Sequence, residues 1–277
     1  MQYRNMGRWG VKVSTVGFGS YLTIGFKIND DVSRATVVKA YEGGVNFFDT
    51  ADAYHGGEAE RVLGEILSEF PRYTLFLLTK CWAPITEDIN DRGLSAKHIF
   101  EACHKSLKRL RTDYLDCYMC HRPDPDTPLE ETIRALEDLA RQGKILYWGV
   151  SEWPAHLITR ANRVAREIGA RPVTVNEPRY NLLFRYPERN LFPATEAEGV
   201  GNVIFSPLAH GMLTGKYKPG EGAPAGTRAS DEETNSIIMK LYWTEENIRA
   251  ADMVIPDDVA AKIEELYPPV ERVDVEK

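Results

Sequence analysis

Short apolar runs recur along the chain at residues 15–19, 46–49, 74–79, 114–119, 145–150, 174–177 and 202–206. Runs of this length, bounded by turn residues, read as buried strands. Amphipathic stripes fill most of the intervals. Ala59, Val62, Leu63, Ile66, Leu67 and Phe70 follow one helical face, as do Ile99, Cys103, Leu107 and Leu110, and then Leu129, Ile133, Leu136 and Leu139. Glycines at 43–44, 143 and 169 suit helix C-terminal caps. Strand and helix alternating about every 30 residues predicts βαβ units and a parallel sheet. A doubly wound sheet would carry a Gly-rich turn after its first strand, but Gly17-Phe-Gly19-Ser-Tyr-Leu22 fails that pattern at its third glycine. Seven similar units favour a (β/α)₈ TIM barrel. Residues 2–6 and 11–14, joined by Gly7-Arg-Trp-Gly10, read as an N-terminal β-hairpin placed to plug one end of it. The pattern stops after Ser206. Residues 208–235 form a long Gly/Pro-rich loop, and a last helix begins near Asp257 or Asp258. No convincing eighth strand is present, since Met253-Val-Ile255 is too short.

The length of 277 residues fits one barrel domain spanning the whole chain. A net charge of −7 argues against nucleic acid or an anionic membrane as the principal partner, while leaving room for an anionic cofactor at a local basic cluster. No signal core opens the sequence and no run is long and apolar enough to span a bilayer, so a cytoplasmic location is expected. Cys117-Tyr-Met-Cys120-His121 matches the haem attachment pattern C-x-x-C-H. The match is rejected because residues three apart on a strand face opposite ways and cannot share a haem or a metal. No metal site is expected.

Four polar residues stand at or just past three successive strand ends. Asp49 closes the second strand, Tyr54 follows five residues later, Lys80 closes the third and His121 closes the fourth. In a parallel barrel these ends share one face, where active sites are built. A lysine ending an apolar strand needs a counter-charge, and Asp49 on the adjacent strand supplies one. A nearby ammonium favours phenolate, which predicts a lowered pKa and acid–base duty near neutral pH for Tyr54. His121 can hydrogen-bond and orient a carbonyl oxygen. Each residue alone has a structural alternative: a turn cap, a solvent-reaching lysine, a surface-loop tyrosine. Their joint placement favours chemistry.

At these residues the sequence resembles the aldo-keto reductase superfamily, in particular the branch related to voltage-gated potassium channel β subunits. The likeness rests on Val45-Asn-Phe-Phe-Asp49-Thr-Ala-Asp-Ala-Tyr54, Gly57-Glu-Ala-Glu-Arg-Val-Leu-Gly64, Leu78-Thr-Lys80, His121-Arg-Pro-Asp, Gly143-Lys-Ile-Leu-Tyr-Trp-Gly-Val-Ser151, Pro178-Arg-Tyr-Asn-Leu-Leu183 and Phe205-Ser-Pro-Leu-Ala-His-Gly211. The resemblance implies that Asp49, Tyr54, Lys80 and His121 are the catalytic tetrad and that the cofactor is NADPH. It implies that Gly19, Ser20 and Tyr21 lie near the nicotinamide, that Ser151, Glu152 and Glu177 meet its carboxamide, and that Phe205 stacks on its ring. It places Ser206, Pro207, Leu208, Ala209, His210 and Gly211 under the pyrophosphate, with Lys216 and Arg228 on a clamping loop. Tyr21, Trp82 and Trp153, with Tyr54 and His121, are either substrate-pocket residues or, for the aromatics, core and rim.

Three departures stand out. Glu152 and Glu177 occupy positions where relatives often carry Asn and Gln, and a carboxylate cannot donate unless protonated. The resemblance implies a further segment of order 40–50 residues, more than one βα unit and carrying the eighth strand, that the given sequence lacks, either left out of it, the favoured reading, or deleted from the protein; Glu246-Asn247 is read as the remnant of an adenosine-binding motif. The activity implied is reduction of a small aldehyde or ketone. The competing reading is a cofactor-binding regulatory subunit with little turnover. Channel subunits carry Asn at the fourth-strand position, so His121 favours the enzyme.

Overall fold

In the computed structural model, residues 1–244, 247, 248, 258, 261 and 262 are described. The chain divides into two compact units, Met1–Pro207 and Leu208–Lys277.

The first unit opens with the antiparallel hairpin of β1 (Tyr3–Asn5) and β2 (Lys12–Ser14), in the register Tyr3↔Ser14. Seven parallel strands follow: β3 (Phe18–Gly19), β4 (Phe47–Asp49), β5 (Phe76–Cys81), β6 (Leu115–Cys120), β7 (Ile145–Ser151), β8 (Val175–Glu177) and β9 (Gly201–Asn202). They pair in sequence order. Helices α1 (Asp30–Glu42), α2 (Glu58–Leu67), α3 (Ala96–Arg109), α4 (Leu129–Arg141), α5 (Ala155–Glu167) and α6 (Pro187–Glu198) make the crossovers. An unbroken order with no reversal is that of a barrel, not a doubly wound sheet. The α/β barrel class is as the sequence pattern predicts. Among the described residues no eighth strand appears, and Met253-Val-Ile255 and most of the expected terminal helix lie outside them.

Local chemistry explains the element boundaries. The Asn29 side chain accepts from Val32 N at 2.9 Å and Ser95 Oγ from His98 N at 3.2 Å, capping α1 and α3. Gly143 and Gly169 have φ of 70° and 67° just past α4 and α5, where a side chain would be strained. The last strand is shorter and earlier than its apolar run suggests, ending at Asn202. Phe205 makes only an isolated parallel bridge to Arg179.

Alternation along the strands sorts side chains into two layers. Phe48, Leu77, Cys81, Tyr118, Cys120 and Val150 face the helices. Phe47, Phe76, Leu78, Cys117, Met119 and Val175 form a separate cluster with Met6 and Val13 of the hairpin. The hairpin meets the amino ends of strands: Ser14 N donates to Asn46 Oδ1 at 2.7 Å, just before β4, and Arg8 N to Gly199 O at 3.1 Å, just before β9. Cys117 and Cys120 lie in opposite layers, as their spacing requires.

The second unit holds single-turn segments at Ala209–Thr214 and Arg228–Ser230, then the short helix α7 (Ser236–Leu241). Tyr217 is its buried centre, edge-on to Trp243 at 5.2 Å, with its hydroxyl accepting from Ala229 N at 3.4 Å.

Candidate active site

The inward parity that buries Phe47, Phe76, Met119 and Val175 brings Asp49, Lys80, His121 and Glu177 to the carboxyl ends of β4, β5, β6 and β8. These residues sit one step above the apolar layer, in the register Asp49↔Leu78, Lys80↔Met119 and Ser151↔Glu177. Lys80 is 0% exposed. Its ammonium donates to Asp49 Oδ1, and to Thr50 O at 3.0 Å, and lies 3.3 Å from Glu177 Oε2. Burial lowers its pKa, but the Asp49 and Glu177 charges outweigh burial and hold it above its ordinary value.

Tyr54 opens the single turn Tyr54–Gly57, and His55, Gly56 and Gly57 turn the chain into α2 with φ of 52°, 64° and 92°. At Gly57 a Cβ would stand 2.8 Å from the Arg109 side chain, so both the angle and the space demand glycine. The turn sets the Tyr54 ring over Lys80 Nζ, 5.4 Å from its centroid, with Tyr21 at 4.9 Å and the His121 ring edge-on at 5.7 Å.

The protonation states differ from the sequence expectation. The Tyr54 pKa is raised, not lowered. Burial raises it most, Lys80 opposes, and Asp49 and Glu177 offset much of that opposition. The phenol therefore keeps its proton at neutral pH. His121 is pushed down to about 2 by burial and by the nearby Lys80 and Arg122 charges, so its imidazole is neutral. Burial and the Asp49 charge outweigh Lys80 at Glu177 and push its carboxyl up to about 8.

The remaining expected residues divide. Gly19 ends β3, and Ser20 is buried with its N–H donating to Asp49 O at 3.0 Å. Tyr21 is 45% exposed beside Tyr54, and Trp82 is half-buried. Ser151 Oγ donates to Glu177 O at 3.0 Å. Glu152 has φ of 55°, donates its N–H to Glu177 O at 3.2 Å and accepts from Arg179 N at 2.7 Å. Trp153 is 2% exposed within the sheet–helix layer. It is a core residue and not a pocket wall, because that layer faces away from the tetrad. Phe205 bridges Arg179, Ser206 O accepts from Asn181 Nδ2 at 3.0 Å, and Pro207 is exposed.

In the second unit, Leu208 precedes the turn in which Ala209, His210 and Gly211 have φ of 48°, 58° and 100°. The Gly211 N–H closes this turn on Leu208 O at 2.9 Å. A Cβ on Gly211 would meet Lys216 Nζ at 3.3 Å, so the ammonium lies against this turn. Arg228 starts its own short turn. Asn247 bonds to its neighbours, Nδ2 donating to Tyr242 O at 3.0 Å, and Glu246 lies outside the described residues.

Sequence reasoning missed two participants. The Thr50 carbonyl is a third acceptor for Lys80, which no residue identity signals. Arg122 donates to His121 O at 2.5 Å and Ser151 Oγ at 3.2 Å, and its position directly after His121 was the available clue.

The model of the aldo/keto reductase family matches residues 15–254. A "Probable voltage-gated potassium channel subunit beta" of Arabidopsis thaliana is 37% identical over 279 residues, covering 99% of this chain and 80% of the relative. A protein of the same description from Oryza sativa subsp. japonica is 38% identical, covering 97% and 78%. With an unbroken order of parallel strands and a lysine held by two carboxyl groups at their carboxyl ends, this chain belongs to the aldo/keto reductase family.

Proposed function

We propose that the protein reduces a small aldehyde or ketone with NADPH, using Tyr54 as proton donor. The observation that carries the reading is the convergence of Tyr54, Asp49 and His121 around the buried Lys80 ammonium. A carbonyl oxygen gaining charge needs a neutral acid beside it, and a protonated Tyr54 with Lys80 at hand provides one. Once the phenolic proton leaves, the ammonium stabilises the phenolate. Asp49 and Thr50 O keep that ammonium in place. His121, neutral and carrying one ring N–H, orients the substrate oxygen. Tyr21 and Trp82 flank the approach.

The residues present suit a nicotinamide nucleotide. Among the described residues Ser20 Oγ and His121 Nδ1 are buried without a hydrogen-bond partner, which favours a bound polar molecule at these strand ends. Ser20, Ser151, Glu152 and Glu177 would hold the carboxamide end, with Phe205 against the ring. Lys216, whose ammonium lies against the turn at Gly211, would supply positive charge for phosphate oxygens. Lys216 and Arg228 motivate NADPH over NADH. The nicotinamide supplies the hydride.

The names of the two plant relatives favour a second reading, a nucleotide-binding channel subunit with little turnover. Consumption of NADPH across a panel of aliphatic and aromatic aldehydes, with fluorescence titration of NADPH and NADH, separates the two. Turnover with tighter NADPH binding supports the reductase. Tight binding without turnover of any carbonyl supports the subunit.

A further inference from the structure

Lys80 faces two carboxyl groups, and they are not equivalent. Asp49 is hydrogen-bonded to the ammonium. Glu177 is 4% exposed, stands 3.3 Å away, and among the described residues its Oε2 makes no hydrogen bond of ordinary geometry. Charge counting shows what this means. With Glu177 protonated, the Lys80–Asp49–Glu177 group is neutral. With Glu177 ionised those three groups carry one negative charge among buried side chains, where unpaired charge is costly. A nicotinamide ring is neutral when reduced and carries one positive charge when oxidised. The proton on Glu177 and the charge on the ring can therefore replace each other.

We propose that Glu177 is a proton-carrying member of the site, protonated with the reduced nucleotide bound and ionised with the oxidised one. The inference rests on the nicotinamide reading above. The balance closes over one turnover. The carbonyl carbon gains a hydride, and Tyr54 gives its proton to the carbonyl oxygen. Lys80, in reach of both Tyr54 and Glu177, passes a proton to the phenolate and takes one from the Glu177 carboxyl. The sum is carbonyl, reduced nucleotide and protonated Glu177 giving alcohol, oxidised nucleotide and ionised Glu177. Water returns the proton to Glu177 when the nucleotide leaves.

The surroundings of Glu177 support this role. Asp49 on β4 opposes its ionisation, while Lys80 on β5 and Arg122 after β6 favour it. The Cys117 thiol on β6 and the Tyr54 phenol after β4 are held protonated by burial. Glu152 past β7 is tied to Arg179 N, and toward β9 the neighbouring Asn176 and Asn202 side chains pair as uncharged amides. Burial and Asp49 bring the Glu177 carboxyl up to about 8, so near neutral pH it has a proton to release.

Calorimetric titration of the full chain with NADP⁺ and with NADPH, in two buffers of different ionisation enthalpy, reads the protons released on binding. At pH 7 a carboxyl near 8 is mostly protonated, so NADP⁺ should release about 0.9 proton more than NADPH. The 2′-phosphate titrates in both nucleotides and cancels in the difference. The affinity ratio of NADP⁺ to NADPH should rise nearly tenfold per pH unit from 6 to 7.5 and level off above 8. In Glu177→Gln, whatever the affinity for each nucleotide, the proton difference should vanish and the ratio should be flat with pH. Equal proton release in the native chain, or an unchanged difference in Glu177→Gln, overturns the proposal. The native pH slope decides the matter alone if the variant does not fold. Failure of both nucleotides to bind overturns the nicotinamide reading as well.

Discussion

Glu177→Gln keeps the shape of the side chain and removes only its titration, so its stability against pH tests the charge state of the site without any ligand. The Glu177 carboxyl stands at about 8 in the folded chain, against an ordinary value of 4.5. Between those values the folded protein binds more protons than the unfolded one, so stability falls as pH rises. The contribution is fully present below pH 4.5 and lost above 8. At about 1.4 kcal/mol per pH unit, the whole interval is worth up to about 5 kcal/mol. Glutamine escapes this loss. Relative to the native chain, the variant should gain about 2–3 kcal/mol of stability between pH 6 and pH 8. Urea unfolding followed by the fluorescence of buried Trp148 and Trp153 at fixed temperature measures this directly. Parallel pH profiles for the two chains would refute the reasoning. They would mean that Lys80 holds both carboxylates ionised throughout.

Arg109→Met would leave Glu60, which is fully buried and bonded to Arg109 Nε and Thr79, without its cation and close to the buried Asp52. The loss should be about 3–5 kcal/mol in urea unfolding, and adding Glu60→Gln should recover part of it. His121→Asn should slow aldehyde turnover about tenfold or more, the worth of one orienting hydrogen bond, while NADPH affinity measured by fluorescence stays near its native value. Burial raises the pKa of Cys81, Cys103, Cys117 and Cys120, so Ellman's reagent should label them slowly in the native chain and completely in urea.

The barrel order was legible because strand and helix periods are local properties. Phe47, Asp49, Leu78 and Lys80 announce both the strand and its inward face. The convergence of Asp49, Lys80 and His121 was legible for the same reason, since parallel strands end together. What could not be read was electrostatic balance. A lysine beside Tyr54 suggested a lowered pKa, yet the outcome depends on burial and on the second carboxyl, Glu177, brought in from a strand nearly 100 residues away. For Trp153 the sequence left pocket and core both open. Its nearness in sequence to Ser151 suggested the pocket, but the turn after β7 directs it into the helix layer. The helix α7 went unseen just after the Gly/Pro-rich loop because it is only six residues long.

The central claim is that Tyr54 and Lys80 act as one unit in proton donation. Measuring aldehyde reduction and NADPH affinity for the native chain, Tyr54→Phe, Lys80→Met and the double variant tests it most directly. Tyr54→Phe removes a single hydroxyl and should bind NADPH nearly normally while losing about 10²-fold or more in turnover. Lys80→Met should also cripple turnover, since the phenolate loses its stabilising charge. The double variant should lose far less than the product of the two single losses, because residues acting together are not additive. Near-native turnover by a folded, NADPH-bound Tyr54→Phe protein, or independent losses that multiply, would contradict the account.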